Sequence, residues 1–140
     1  MPSRPFSARI AADVAERLES RGARTGLNKS RLAERYIDEG MRMDDHPGIT
    51  FRDGPAGRRA GLVAGPDLWE VVGAVRSSGL KGDAGVRSAA EWAALTAEQV
   101  RTALRYYGDY PDEINEWIRR NTEEADAAEA AWRRQRDPSA

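Results

Sequence analysis

Residues 4–42 read RPFSARIAADVAERLESRGARTGLNKSRLAERYIDEGMR. In the opening segment the side chains alternate. Phe6, Ala8 and Ile10 point one way, and Pro5, Ser7 and Arg9 the other, which predicts a short strand over residues 6–10. A helix over Ala12–Thr25 follows, with Val14 and Leu18 four apart among Glu16, Arg17, Glu19 and Arg21. Gly26 stops it. Asn28 is placed to cap a second helix, in which Leu32, Tyr36 with Ile37, and Met41 give one apolar face. A lone strand of this length cannot satisfy its own backbone groups, so it is expected to pair with its copy in a second chain. The resulting two-stranded ribbon has one face for the helices and a polar face of a width that suits the major groove of DNA.

Charge supports a nucleic-acid partner at this end. The formal net charge is −1, yet residues 1–31 carry seven basic residues against three acidic ones. Residues 96–140 carry seven arginines against ten acidic residues. A basic end and an acidic end point to two different partners. Lys29, Ser30 and Arg31 fall in the first turn of the second helix, where free N–H groups, a hydroxyl and cations suit a phosphate.

The strand–helix–helix segment resembles the ribbon-helix-helix repressors of the MetJ, Arc and CopG kind over about the first third of the chain. The resemblance implies an obligate dimer. It places base reading on Ser7 and Arg9, with Arg4 and Pro5 beside them, and phosphate contacts on Asn28, Lys29 and Ser30. Pro5 stands where the family usually has a polar residue.

Asp44-Asp45-His46-Pro47-Gly48 reads as a hinge. Ile49–Arg52 and Arg58–Val63 are strand-like runs around the turn cluster Asp53-Gly54-Pro55-Ala56-Gly57, which predicts a hairpin. A helix from Pro66-Asp67 to about Arg76 would bury Leu68, Val71, Val72 and Val75. A second would run from Asp83 to Ala94, and a third would follow the capping box Thr96-Ala97-Glu98-Gln99 with Val100, Ala103, Leu104 and Tyr107 inward. Pro111 opens a fourth, with Ile114, Trp117 and Ile118 as its stripe. Trp69, Trp92 and Trp117 are expected in the core. Beyond Asn121 the chain is almost all Ala, Glu, Asp and Arg with Trp132 alone, which predicts a tail poorly ordered without a partner. The expected architecture is therefore mainly α. It comprises a ribbon-helix-helix unit over 1–45 for dimerisation and DNA binding, a hairpin with a three-helix, helix-turn-helix-like domain over 46–121, and a helical C-terminal tail over 122–140 that binds a partner or is disordered.

The middle segment resembles a small helix-turn-helix domain of the antitoxin type, long catalogued as a domain of unknown function. Leu95, Thr96, Glu98, Val100, Ala103, Leu104, Tyr106, Tyr107, Glu113 and Ile114 match its pattern, and the match covers roughly residues 46–121. Such domains often occur as partners of PIN-type ribonuclease toxins. The two resemblances together imply an antitoxin of the VapB kind that binds its toxin and represses its own operon.

No residue set for catalysis or a cofactor is legible. The one histidine, His46, lies beside a proline in the hinge and reads as incidental or as a cap rather than as a ligand. With no cysteine there is no second soft ligand for a metal site. Asp44/Asp45 and Asp112/Glu113 are sequence neighbours, and the spacing does not aim both carboxylates of a pair at one ion. The glycines around residues 54–57 follow no phosphate-cradling pattern. The absence of cysteine suits a reducing compartment. No apolar run approaches membrane length and no signal-peptide core opens the chain, so a cytoplasmic protein without membrane contact is expected. With 40% hydrophobic and 32% charged residues, the chain has little spare core, which favours a homodimer or a higher homo-oligomer.

The expected function is a DNA-binding antitoxin that acts on its own operator through the dimeric ribbon. Its tail, through Trp132, Arg133, Arg134 and Arg136, would bind a PIN-type ribonuclease, where arginines pair with the carboxylates around its metal ion. The alternative is a stand-alone ribbon-helix-helix regulator whose C-terminal domain oligomerises or senses a ligand.

Overall fold

A computed structural model describes residues 1–139. It is mainly helical, with a two-stranded hairpin. The chain divides into two compact units, Met1–Arg42 and Met43–Ala140.

The N-terminal unit contains α1 (Ala12–Thr25) and most of α2 (Lys29–Asp45). Both helices start where the sequence places them. Gly26 ends α1 in the left-handed conformation, φ 73°, and its N–H donates to Gly22 O at 3.0 Å. Asn28 caps α2, since its Oδ1 accepts the Arg31 N–H at 2.8 Å. Leu32 is the one fully buried apolar side chain among the described residues of this unit. Gly22 permits the close approach beside it. A Cβ there would lie 3.1 Å from the Leu27 carbonyl and 3.7 Å from Leu32 Cδ1. The expected strand over residues 6–10 is not formed within the single chain. Residues 1–11 have no regular structure and every one is exposed, as a strand must be when the chain holds nothing to pair with it.

In the C-terminal unit β1 (Ile49–Arg52) pairs antiparallel with β2 (Arg59–Leu62), in the register Ile49↔Leu62 to Arg52↔Arg59. Four helices follow, α3 (Leu68–Ser78), α4 (Gly82–Ala93), α5 (Ala97–Asp109) and α6 (Pro111–Arg136). α3 packs on α4, α5, α6 and β2. Leu68, Val71, Val72, Val86, Val100, Tyr106 and Ile114 form the centre of one apolar cluster. The capping box of α5 is made as the sequence predicts. Thr96 Oγ1 accepts the Gln99 N–H at 3.1 Å, and the Gln99 side chain accepts the Thr96 N–H at 2.8 Å.

α6 continues as one helix through residue 122 to Arg136, so the expected tail is helical. Its i,i+4 ion pairs, such as Arg133–Glu129 at 2.6 Å, and the arginines of its last turn favour a helix despite the thin apolar stripe. Trp92 is not core but 75% exposed. The buried face of α4 is Gly85, Val86, Ala89 and Ala90, and residue 92 lies at the edge of that face, about 90° from its centre. His46 is not incidental. Its side chain is only 9% exposed, its Nε2 lies 2.8 Å from Asp109 Oδ2, and its ring meets Tyr106 edge-on at 5.3 Å.

Candidate nucleic-acid interface

Arg4, Ser7 and Arg9 all lie in the exposed segment before α1. Phe6 is 79% exposed and Ile10 53% exposed. Val14 of α1 and Ile37 and Met41 of α2 are exposed as well. A cleft lined by Val14, Leu18 and Tyr36, with Arg17 and Arg21 at its edge, opens between the two helices. Arg21 lies over the Tyr36 ring, 5.9 Å from its centroid. The unit therefore presents apolar surface of the kind a single chain of this size normally covers.

Asn28, Lys29 and Ser30 come together at the start of α2, all exposed. Asn28 is spent on the cap. Lys29 is engaged too, for its Nζ lies 2.8 Å from Glu19 Oε1 on α1. The hydrogen bond from Lys29, reinforced by its charge, holds the Glu19 carboxyl below its ordinary range. The pair is open to solvent, so a phosphate can compete for the ammonium. Sequence reasoning placed the lysine and missed Glu19 beside it. The contact joins residues ten apart on different helices, and no spacing rule within one helix finds it.

The C-terminal unit offers a second surface of familiar outline. α4 ends at Ala94, a non-glycine residue in the left-handed region with φ 54°, and Leu95 and Thr96 lead into α5. Arg101 and Arg105 stand on the exposed side of α5, but acids accompany them. Arg105 Nη2 is 2.9 Å from Glu98 Oε1, and Arg101 is 3.7 Å from Asp83 and 3.9 Å from Glu98. Two arginines balanced by two carboxylates, one of them in the first turn of α5, make a poor phosphate surface.

A part-buried polar cluster at the hairpin went unread in the sequence. Asp67 accepts from Arg52 Nε at 2.9 Å and from Arg59 Nε on the opposite strand. Arg52 also reaches the Gly65 carbonyl at 2.7 Å. Burial pushes the Asp67 carboxyl up, but the hydrogen bonds and charges of Arg59 and Arg52 outweigh it and hold the pKa below the ordinary value. The Asp67 N–H in turn donates to Glu70 Oε2 at 2.9 Å, so one carboxylate ties the hairpin to the start of α3. The available signal was the register. Two arginines directly opposite across a hairpin repel unless an acid is supplied. Both oxygens of the Asp67 carboxylate are taken by arginines of the hairpin itself, which makes the cluster structural.

Trp132, Arg133, Arg134 and Arg136 lie together on the last turns of α6. Trp132 is 53% exposed, with the Arg136 guanidinium 4.7 Å from its ring centre. Trp69, Trp92 and Ile118 line a cleft among α3, α4 and α6. Among the described residues no group of three or more His, Asp or Glu side chains is gathered as a metal site, and no helix is long and apolar enough to cross a membrane. No protein-family model, no curated protein and no solved structure matches the chain.

Proposed function

We propose that this protein is a dimeric DNA-binding antitoxin. Its N-terminal segments pair into a ribbon that reads the operator of its own gene, and its C-terminal helix binds a PIN-type ribonuclease. The observation that carries the reading is the imbalance of the N-terminal unit. Leu32 alone is fully buried, while Phe6, Ile10, Val14, Ile37 and Met41 stand exposed around an unpaired basic segment. Covering each such side chain contributes roughly 1.5–3 kcal/mol. A second copy could bury several of them per chain at once, with the two segments satisfying each other's backbone. Pairing with Phe6, Ala8 and Ile10 inward leaves Ser7 and Arg9 outward for base edges and Arg4 close to the backbone. Asn28, Lys29 and Ser30 then take phosphates at the helix start. The excess of base over acid in residues 1–31 suits this partner, and the balanced charge on α5 does not.

The antitoxin half rests on α6. An exposed tryptophan among Arg133, Arg134 and Arg136 suits an acidic protein surface, which a carboxylate-lined nuclease site provides. The test has two arms. DNA from immediately upstream of the gene should be bound with strong salt dependence, and a ribonuclease encoded beside the gene should be neutralised and should co-purify. Operator binding without any such enzyme would leave a regulator only. Neutralisation without DNA binding would remove the ribbon.

A further inference from the structure

We infer that the tail helices of two copies pair with each other, antiparallel, through residues 122–136. α6 runs through Ile114, which is buried in the core, to Trp132, which is exposed. Those positions are 18 residues apart, which is five turns, so Trp132 lies on the same face as Ile114 about 27 Å further along. The core-facing stripe of α6 therefore continues past the domain through Ala125 and Ala128 to Trp132, where it is uncovered. Residues 121–130 are all exposed.

Charge identifies the occupant. Within this segment the acids come first, at Glu123, Glu124, Asp126 and Glu129, and the bases last, at Arg133, Arg134 and Arg136. A helix with that polarity is complementary to its own copy run in reverse. The register that keeps the stripes facing sets Ala128 against Trp132 of the second copy and Ala125 against Gln135, with the reciprocal contacts made by symmetry. On one flank of the seam it brings Arg133 and Arg136 of one copy beside Asp126 and Glu129 of the second, while Arg134 faces away. The large indole then meets the smallest side chain on the stripe, as close helix packing requires. A parallel pairing in register would instead stack acid on acid and base on base.

Two faces of this length bury on the order of 800 Å², below the roughly 1,200 Å² of a stable specific interface, so tails on separate chains would pair only weakly. Chains already joined at their N-termini raise the effective concentration of the tails. The inference rests on the dimeric reading for strength only, not for geometry. The surface is the one offered to a ribonuclease above, so self-pairing would cover it in the free protein and a partner would have to displace it.

The full chain contains no cysteine, so single cysteines report cleanly. Ala125→Cys and Gln135→Cys chains, distinguishable by mass, are mixed and mildly oxidised. The antiparallel register brings position 125 of one chain to position 135 of the other, while like positions stay about 15 Å apart, too far for a disulfide. The expected result is at least a fivefold excess of the mixed disulfide over either homodisulfide. Trp132→Ala in both chains should remove that excess. Reversing Arg133 and Arg136 to Glu should do the same, and reversing Asp126 and Glu129 to Arg in addition should restore it. Homodisulfides in excess, no disulfide at all, or a mixed disulfide indifferent to Trp132→Ala would each overturn the pairing. Because the readout is local to α6, loss of operator binding by the N-terminal segment would leave these outcomes distinct.

Discussion

Residues 43–139 bury thirteen apolar side chains in one cluster, whereas among the described residues of 1–42 only Leu32 is fully buried. Both units hold amphipathic helices of ordinary length, so propensity does not separate them. The difference is in how many elements share an apolar face. α3 touches three helices and a strand, so each of its inward side chains meets several partners. In the N-terminal unit two helices and an irregular segment leave the stripes of α1 and α2 half uncovered. A unit built that way gains stability by association, and in the proposed function the surface covered by association lies beside the DNA contacts.

The largest effect should come from breaking association at its apolar centre. Phe6→Asp with Ile10→Asp would place two charges per chain on the inward face of the ribbon. Operator affinity is expected to fall more than a hundredfold, read by gel shift, while the C-terminal unit keeps its thermal transition. A double variant that still binds the operator would show that the segment does not pair as proposed. The contrast also predicts that unfolding of the N-terminal unit depends on protein concentration and that of the C-terminal core does not.

Next is the C-terminal core. Leu68 is fully buried at the first turn of α3, and Leu68→Ala should destabilise that unit by roughly 2–5 kcal/mol in denaturant titrations. DNA affinity at a temperature where both units remain folded should be unchanged. A parallel loss of DNA binding would mean the two units are not separable in function.

Arg9→Ala should remove a base contact of about 1–3 kcal/mol per chain, concentrated on the cognate sequence. Lys29→Ala should lower affinity for all sequences alike and flatten the salt dependence by about one phosphate per chain. Equal losses on cognate and random DNA for Arg9→Ala would move the reading residue elsewhere.

Asp67 sharpens the comparison from the other unit. Its lowered pKa means the folded state favours the ionised carboxylate. That stability is complete above the ordinary value of 3.8, fades as pH falls through it, and is lost below the lowered folded pKa. Asp67→Asn should cost roughly 2 kcal/mol at neutral pH, since it removes the charge and leaves one amide oxygen where two arginines each had a carboxylate oxygen. It should also shrink the drop in melting temperature between pH 6 and pH 3. An unchanged drop would show that other carboxylates govern acid unfolding.

What the sequence disclosed divides along the range of the interaction. Local signals were sufficient wherever one element decides its own limits. Gly26, Asn28, the Thr96–Gln99 box and Pro111 all mark real boundaries, and the hairpin lies where its turn residues put it. Non-local terms escaped. Trp92 looked like core because its neighbours are apolar, yet only its angular position on α4 decides burial. His46 looked incidental because its partners, Asp109, Tyr106 and Tyr110, lie some sixty residues away. At the candidate site, Arg4, Ser7 and Arg9 were legible as an alternating basic segment, while the ion pair that occupies Lys29 depends on how two helices meet.

The smallest expected effect lies in that ion pair. Glu19 places a carboxylate 2.8 Å from the one ammonium at the start of α2, beside the proposed phosphate position. Two influences then compete. The pair orients Lys29 and holds it at the helix start, which would favour binding. The carboxylate also repels an incoming phosphate and must give up its partner when the phosphate takes the lysine. Both groups are more than half exposed, so solvent and salt screen the orienting attraction, and a long lysine gains little from being held. Repulsion by an unpaired carboxylate at the moment of binding is the larger influence, because phosphate binding is itself governed by charge. Glu19→Gln is therefore expected to raise affinity for operator and random DNA alike by a few-fold at low salt. The gain should vanish toward about 0.3 M salt, where the Debye length is only several ångströms. Cognate preference should not change, since no base contact is altered. If Glu19→Gln lowered affinity instead, the pair would be an orienting device. If it changed nothing at low salt, Lys29 would lie away from the phosphates, and Asn28 and Ser30 would have to hold that end of the helix by themselves.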